Sequence, residues 1–400
     1  MRPYGVFLLV SGVGAFGSSC AYTLNVLFQI QVVGLGPLGL VLVGTVLEGV
    51  YLLAQVPMGL LADARGRRLP VLLGVFLTGA GTVLQGAVPT LAATLAGTAL
   101  WGAGAACFDG AFEAWAADEL GEDRIGAALT RGAQLGQAAT VAGMLTAAAL
   151  ATVRPALPML VGGAAWLLLG LVLLPALRSG FVPAPRSGSR GGGPRWAPGV
   201  RTLALATLFV ALGREGFDRL GPDHVLTTVP STAPAPWFST LAIVTIVAAI
   251  PLTRLLRSLP GGGRALAAVL AVQVAAMAVF ALSTSFFVAA FSLVLAGALR
   301  AAADPLWTTW LVAQTTAAER ATVLSAVGTV GALGEIAGGP PAGWLGRRFS
   351  VARSLLACAA VTAPAVLVLG LDGGFRTGGR RSTGGPRRPR RPRPGSRRRG

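Results

Sequence analysis

The chain has 400 residues, 54% of them hydrophobic and only 12% charged, with a mean hydropathy of +0.69. Soluble domains carry about 25% charged residues, so this composition excludes an ordinary water-soluble globule. The formal charge of +18 does not indicate nucleic-acid binding, because eleven arginines lie beyond Asp372 and the rest of the chain has 22 basic against 15 acidic residues, a balance of +7. All 33 basic residues are arginine, which with the abundance of Ala, Gly, Val and Leu fits a GC-rich bacterial genome. Cys20, Cys107 and Cys358 fall in apolar segments without metal-ligand spacing and are read as packing residues.

Apolar runs of about 20 residues recur, each long enough to cross about 30 Å of hydrocarbon. They lack the alternation of membrane β-strands. The predicted fold class is therefore an all-α membrane protein with twelve spans, near 4–29, 38–62, 69–87, 90–116, 126–152 and 155–177, then 200–220, 237–257, 264–283, 285–311, 322–346 and 351–371. The first run is too long for a signal-peptide core and lacks a convincing cleavage site, so it is expected to remain as a span. Charges interrupt the seventh span, and Pro340-Pro341 is expected to break or bend the eleventh. Arginine-rich loops put both termini on the cytoplasmic side, with Arg219 and the single His224 left in an outer loop.

Residues 178–199 form a Pro/Gly/Ser/Arg-rich linker with no helical period. It divides the chain into two bundles, 1–177 and 200–371, followed by a basic tail, 372–400, expected to be disordered. The bundles look like a duplication. At an offset of 195, Gly102, Asp109 and Trp115 fall on Gly297, Asp304 and Trp310. At an offset of 196, Asp123-Arg124, Gly132 and Gly143 fall on Glu319-Arg320, Gly328 and Gly339.

Between spans two and three lies Gly59-Leu-Leu-Ala-Asp63-Ala-Arg65-Gly66-Arg67-Arg68. The glycines permit a tight reversal, and one acid among three arginines marks the membrane boundary. Twelve spans, a central linker and related halves resemble the major facilitator superfamily of secondary transporters, whose G-x-L-A-D-R-x-G-R-R/K signature this stretch matches except at Ala64. The resemblance implies two pseudo-symmetric six-helix bundles that rock by alternating access. It also implies that Gly59, Asp63, Gly66, Arg67 and Arg68 act as an inner latch between the halves.

Span four contains Asp109-Gly-Ala-Phe-Glu113-Ala-Trp115-Ala-Ala-Asp118-Glu-Leu, and span five contains Thr130-Arg131-Gly-Ala-Gln134. These runs look like those of bacterial drug-efflux-like members. Thr98 stands where such members carry an arginine, and no proline lies between Gly136 and Gly143, so two features associated with proton-coupled export are missing. Asp109 and Glu113 share a helix face, and Arg131 is a candidate partner for either.

Ten ionisable residues fall well inside the spans: Glu48, Asp109, Glu113, Arg131, Arg214, Glu215, Asp218, Arg300, Asp304 and Glu335. Each is costly there unless paired or hydrated. Seven lie on spans four, seven and ten, which with span one line the family's cavity; random placement would put only a third on those four. Arg214/Asp218 and Arg300/Asp304 are spaced for local pairs. Arginine keeps its proton, which leaves Glu48, Asp109, Glu113, Glu215 and Glu335 as candidate proton carriers. Glu48 and Glu335 are expected to meet across the half-interface. Phe108, Trp115, Trp307 and Trp310 are candidates for stacking on a ligand.

The expected function is secondary transport, read as proton-coupled export of a small amphipathic compound. Uptake of a metabolite by the same fold is the first alternative, and a non-transporting membrane sensor or scaffold is a second. No P-loop, metal cluster or catalytic triad appears in the sequence, so the chain is not read as an enzyme and no cofactor is expected. The expected partners are a small-molecule substrate, protons and the lipid bilayer of a bacterial inner membrane, with no nucleic acid and a monomeric chain.

Overall fold

The computed structural model describes residues 2–177, 196–230, 233–258, 263–316 and 319–371. The side chains of Asp63, Glu122, Asp123, Arg257, Ser258 and Ala321 are outside this set, as are nearly all of the linker and the whole basic tail. The first six spans are α1 (Pro3–Tyr22) with α2 (Asn25–Gln31), α3 (Pro37–Arg65), α4 (Arg68–Ala87), α5 (Leu91–Phe108) with α6 (Ala111–Leu120), α7 (Glu122–Val153) and α8 (Leu157–Ala176). The last six are α9 (Pro198–Leu226), α10 (Ala235–Ser258), α11 (Gly263–Leu282), α12 (Phe286–Ala313), α13 (Arg320–Arg348) and α14 (Val351–Leu371).

Eleven helical stretches among the described residues are long and apolar enough to cross a membrane. The exception is α9, because Arg201, Arg214, Glu215, Asp218 and Arg219 leave no uncharged stretch of that length. Two helices run further than their prolines suggest. The seventh span continues through Pro222 to Leu226, and α13 continues through Pro340 and Pro341 to Arg348. A proline removes one backbone donor, and neighbouring helices can hold the turn in place.

The expected six-plus-six arrangement holds. In the first group α1 packs on α7 and α8, and α4 on α5 and α8; in the second α9 packs on α13 and α14, and α11 on α12 and α14. The groups meet mainly where α3 lies against α13 and α9, and where α7 meets α10. This seam is unequal along its length. Near Pro37, one apolar core crosses it: Leu40, Val41 and Val43 of α3 pack with Phe217 and Leu220 of α9, Phe280 of α11, Ala342 of α13 and Leu355 of α14. Near the Gly66 turn the cores are separate. Val6, Phe112, Trp115 and Leu173 belong to one, and Leu203, Leu266, Leu311 and Leu369 to the other. The seam is sealed at the Pro37 end and parted at the Gly66 end.

The seal depends on absent side chains. A Cβ on Gly343 would stand 3.0 Å from the Leu38 Cα, and one on Gly339 would stand 2.8 Å from Val41. Small residues let helix backbones approach closely in a membrane.

Candidate functional site

Four charged residues form a chain across three helices beside the seam. Arg300 of α12 places Nη1 2.8 Å from both carboxylate oxygens of Asp218 on α9. Arg214, one turn before Asp218, places Nε 3.6 Å from the same carboxylate and Nη1 3.4 Å from Glu335 of α13. Two guanidiniums and two carboxylates thus balance, with Arg300–Asp218 a charge-assisted hydrogen-bonded pair, stronger than neutral hydrogen bonds, and the Arg214 contacts longer ion pairs. Arg300 does not take Asp304, its expected partner four residues on. Crossing of α9 and α12 brings Asp218 to it instead, and Asp304 is exposed with no ion pair among the described residues.

A second pair closes the seam. Arg219 Nε donates to Glu215 Oε1 at 2.8 Å, with side chains only 13% and 8% exposed. The pair lies against Gly44 of α3, where a Cβ would overlap the Glu215 carboxylate. Arg219 is therefore a largely enclosed residue within α9, not an outer-loop charge. His224 moves inward with it: the extended α9 buries the ring, Nε2 lies 2.9 Å from the Phe280 carbonyl oxygen, and the ring is edge-on to Phe280. The i, i+4 spacing of Glu215 and Arg219 was the available sequence signal for this pair.

The first six spans hold their charges differently. The fourth span breaks at Asp109 and Gly110, the latter at φ +67°, a conformation that suits glycine. Asp109 is exposed there and accepts a hydrogen bond from the Tyr51 hydroxyl at 3.1 Å. Glu113 is also exposed, and neither has an ion pair among the described residues. Arg131 joins neither acid: it is exposed and donates to Gln134 on its own helix at 3.4 Å. Glu48, half-buried on α3, lies within electrostatic reach of Glu215, Glu335, Arg214 and Arg219. The expected meeting of Glu48 and Glu335 thus becomes part of a larger group in which Arg214 holds Glu335.

At the hinge, α3 ends at Arg65 and Gly66 turns the chain at φ +82°. Gly59 is exposed on the last turns of α3, the Asp63 side chain is outside the described residues, Arg67 pairs with Asp118 and the Ala114 carbonyl of α6, and Arg68 donates to the Leu174 carbonyl of α8 at 2.8 Å. These partners all belong to the first six spans, so among the described residues Arg67 and Arg68 bridge no halves in this conformation.

Of the candidate ligand-stacking aromatics, Trp115 and Phe108 are packing residues. Phe7, Phe108 and Trp115 each stack with Phe112, and Phe108 meets Trp166 edge-on. Trp310 is half-buried against the core of the second group. Trp307 borders a cleft of about 190 Å³ between α9, α11 and α12, which Arg214, Arg300 and Asp304 also line. Gln273 and Thr207, unremarked in the sequence, line it too, and the Trp307 indole N–H donates to Thr207 at 3.1 Å.

The sequence profile described as Major Facilitator Superfamily matches residues 7–339. No curated protein matches the sequence. Among solved structures, the chain is similar to a bacterial homologue of the human lysosomal transporter Spinster in an inward-facing, occupied conformation, with a TM-score of 0.74, 15% identity, and coverage of 92% of this chain and 97% of that one. It is also similar to the nucleoside transporter NupG (TM-score 0.71, 13% identity, 92% and 98% covered). A POT family transporter in complex with 5-aminolevulinic acid gives a TM-score of 0.72 at 12% identity, with 92% and 95% covered. At these identities the likeness is one of fold. With its matched sequence profile and its two six-helix bundles, the chain belongs to the Major Facilitator Superfamily.

Proposed function

We propose that the protein is a secondary active transporter that exports a small amphipathic compound in exchange for protons. The observation that carries this reading is the seam, sealed around Gly44 and parted towards Gly66, with ionisable residues between the two ends. A path accessible from one end at a time is what alternating access requires. On this reading 1–177 and 200–371 are the moving bundles, 178–199 their cytoplasmic tether and 372–400 a basic tail. The Gly66 end faces the cytoplasm, and the chain works as a monomer in a bacterial inner membrane.

The candidate proton carriers are Glu48, Asp109, Glu113, Glu215 and Glu335. Asp109 and Glu113 are the most accessible of them. The hinge of Gly59, Asp63, Gly66, Arg67 and Arg68 would engage the other bundle only after the Gly66 end closes. Arg131 and Gln134 border the path on α7; Arg214, Asp218, Arg300, Asp304, Trp307 and Trp310 border it in the second bundle.

Everted membrane vesicles test the reading. A candidate compound that collapses an imposed pH gradient only when the protein is present supports proton-coupled export. Accumulation of that compound in whole cells expressing the protein would reverse the direction. Failure of a broad compound panel to move in either assay would remove transport altogether.

A further inference from the structure

We propose that the cleft between α9, α11 and α12 is a binding site for a small monovalent organic cation with an aromatic or apolar body. The inference rests on the transporter reading above and names its cargo class. Helical periodicity builds the cleft: Thr207 and Arg214 lie on one face of α9, and Arg300, Asp304 and Trp307 on one face of α12. Leu266 and Leu270 of α11 form the apolar wall opposite. Beyond Gln273 and Arg300 the space continues towards Asp218 and Met277 as a smaller chamber of about 60 Å³.

Charge decides the ligand class. Both guanidiniums are already engaged, Arg300 by Asp218 and Arg214 by Asp218 and Glu335. A carboxylate ligand, or the carboxylate of a zwitterion, would meet guanidiniums whose charge is already countered by Asp218 and Glu335. Asp304 is the one charged group on the cleft wall with no ion pair among the described residues. Asp218 and Glu335, just outside the cleft, offset the two arginines that line it, so Asp304 leaves one net negative charge in the group, matched by a single positive charge on the ligand.

The neighbours of Asp304 describe the rest of that ligand. Trp307, one turn away on the same helix, is steadied by its bond to Thr207 and lines the same cleft as the carboxylate. Cations bind such faces, more strongly when water is excluded. Drug-sized ligands occupy pockets of about 300–1,000 Å³. A cleft of about 190 Å³ fits one ring with an ammonium head.

The test uses the full-length protein purified in detergent, titrated calorimetrically with four probes of one aromatic size: benzyltrimethylammonium, benzyl alcohol, phenylacetate and phenylalanine. The cation should bind at least about ten-fold tighter than the others, a difference of about 1.4 kcal/mol. Asp304→Asn should abolish that preference while leaving benzyl alcohol binding unchanged, and Trp307→Leu should weaken the cation several-fold. If Asp304→Asn does not fold, Asp304→Glu should keep the preference and Trp307→Leu should still reduce it.

Equal affinity for the cation and benzyl alcohol, tighter binding of phenylacetate or phenylalanine, or a cation preference that survives Asp304→Asn would overturn the site. Flux of radiolabelled benzyltrimethylammonium into proteoliposomes separates the two readings. Binding without flux upholds the site and removes its role in transport. Gradient-driven flux of another compound, with no preference for the cation, removes the site and leaves the transporter.

Discussion

The two bundles contain related spans but treat their membrane-embedded charges in opposite ways. In the second, arginines are locked to carboxylates across helices, as in Arg300–Asp218–Arg214–Glu335, or buried as Arg219–Glu215. In the first, Asp109 and Glu113 are exposed with no ion pair among the described residues, and Asp109 accepts a hydrogen bond from the Tyr51 hydroxyl. Asp109 and Asp304, which align at an offset of 195, show the divergence most clearly. One sits at a helix break and the other inside a continuous helix next to an arginine bonded elsewhere. Paired charges hold helices together, whereas an accessible unpaired carboxylate can gain and lose a proton without dismantling its surroundings. On the proposed reading, the second bundle's ion pairs hold its helices together, Asp304 being its accessible exception, while Asp109 and Glu113 of the first are placed for proton exchange.

The largest test of that contrast is at the seam. Gly44→Val drives a side chain into the Glu215–Arg219 pair. Overpacking of this kind costs about 1–3 kcal/mol, and here it acts on closure of the Pro37 end. Transport should fall at least ten-fold, since about 1.4 kcal/mol is a factor of ten. A cysteine placed at Val41 should become reactive to a membrane-impermeant thiol reagent. Unchanged labelling with normal flux would mean that the pair is not the seal.

Next in size is the four-residue chain. Arg300→Gln leaves Asp218 with only its longer contact to Arg214, and loss of hydrogen bonds to a charged group costs about 1.5–3 kcal/mol. With Arg300 about a third exposed, solvent screening brings the expectation to about 1–2 kcal/mol. The double variant Arg300→Gln, Asp218→Asn should unfold at a temperature closer to wild type than either single variant. Additive losses would mean that the two do not act as a pair.

In the first bundle the expected stability effects are smaller and the functional one sharper. Tyr51→Phe removes one hydrogen bond and should cost about 0.5–1.5 kcal/mol. Asp109→Asn should leave thermal stability near wild type and flatten the dependence of transport on pH. A retained pH profile would take Asp109 out of proton handling. The smallest effect belongs to Arg131→Ala: exposed and bonded only to Gln134, it should change stability by no more than about 0.5 kcal/mol.

Much of this fold is legible in the sequence, because span length follows from hydrophobic length and the Gly66 turn from its glycine. The arginine pairings are less so. Helical spacing puts Asp304 within reach of Arg300, but the approach of α9 to α12 supplies Asp218 from 82 positions earlier in the chain. Gly44 is equally silent in sequence: an isolated glycine in an apolar run has many uses, and only the neighbour that occupies its missing side chain reveals this one. His224 lies beyond the apolar run that ends near residue 220, and only the packing that carries α9 on to Leu226 brings it inside.

The apolar core shared across the Pro37 end also has a thermal consequence. Parting that end would wet Val41, Phe217, Leu220 and their neighbours, and newly wetted apolar surface raises heat capacity. The balance between the two orientations should therefore curve with temperature. Because hydrophobic association weakens on cooling, cold should loosen the sealed end first, making temperature a handle on orientation that needs no ligand.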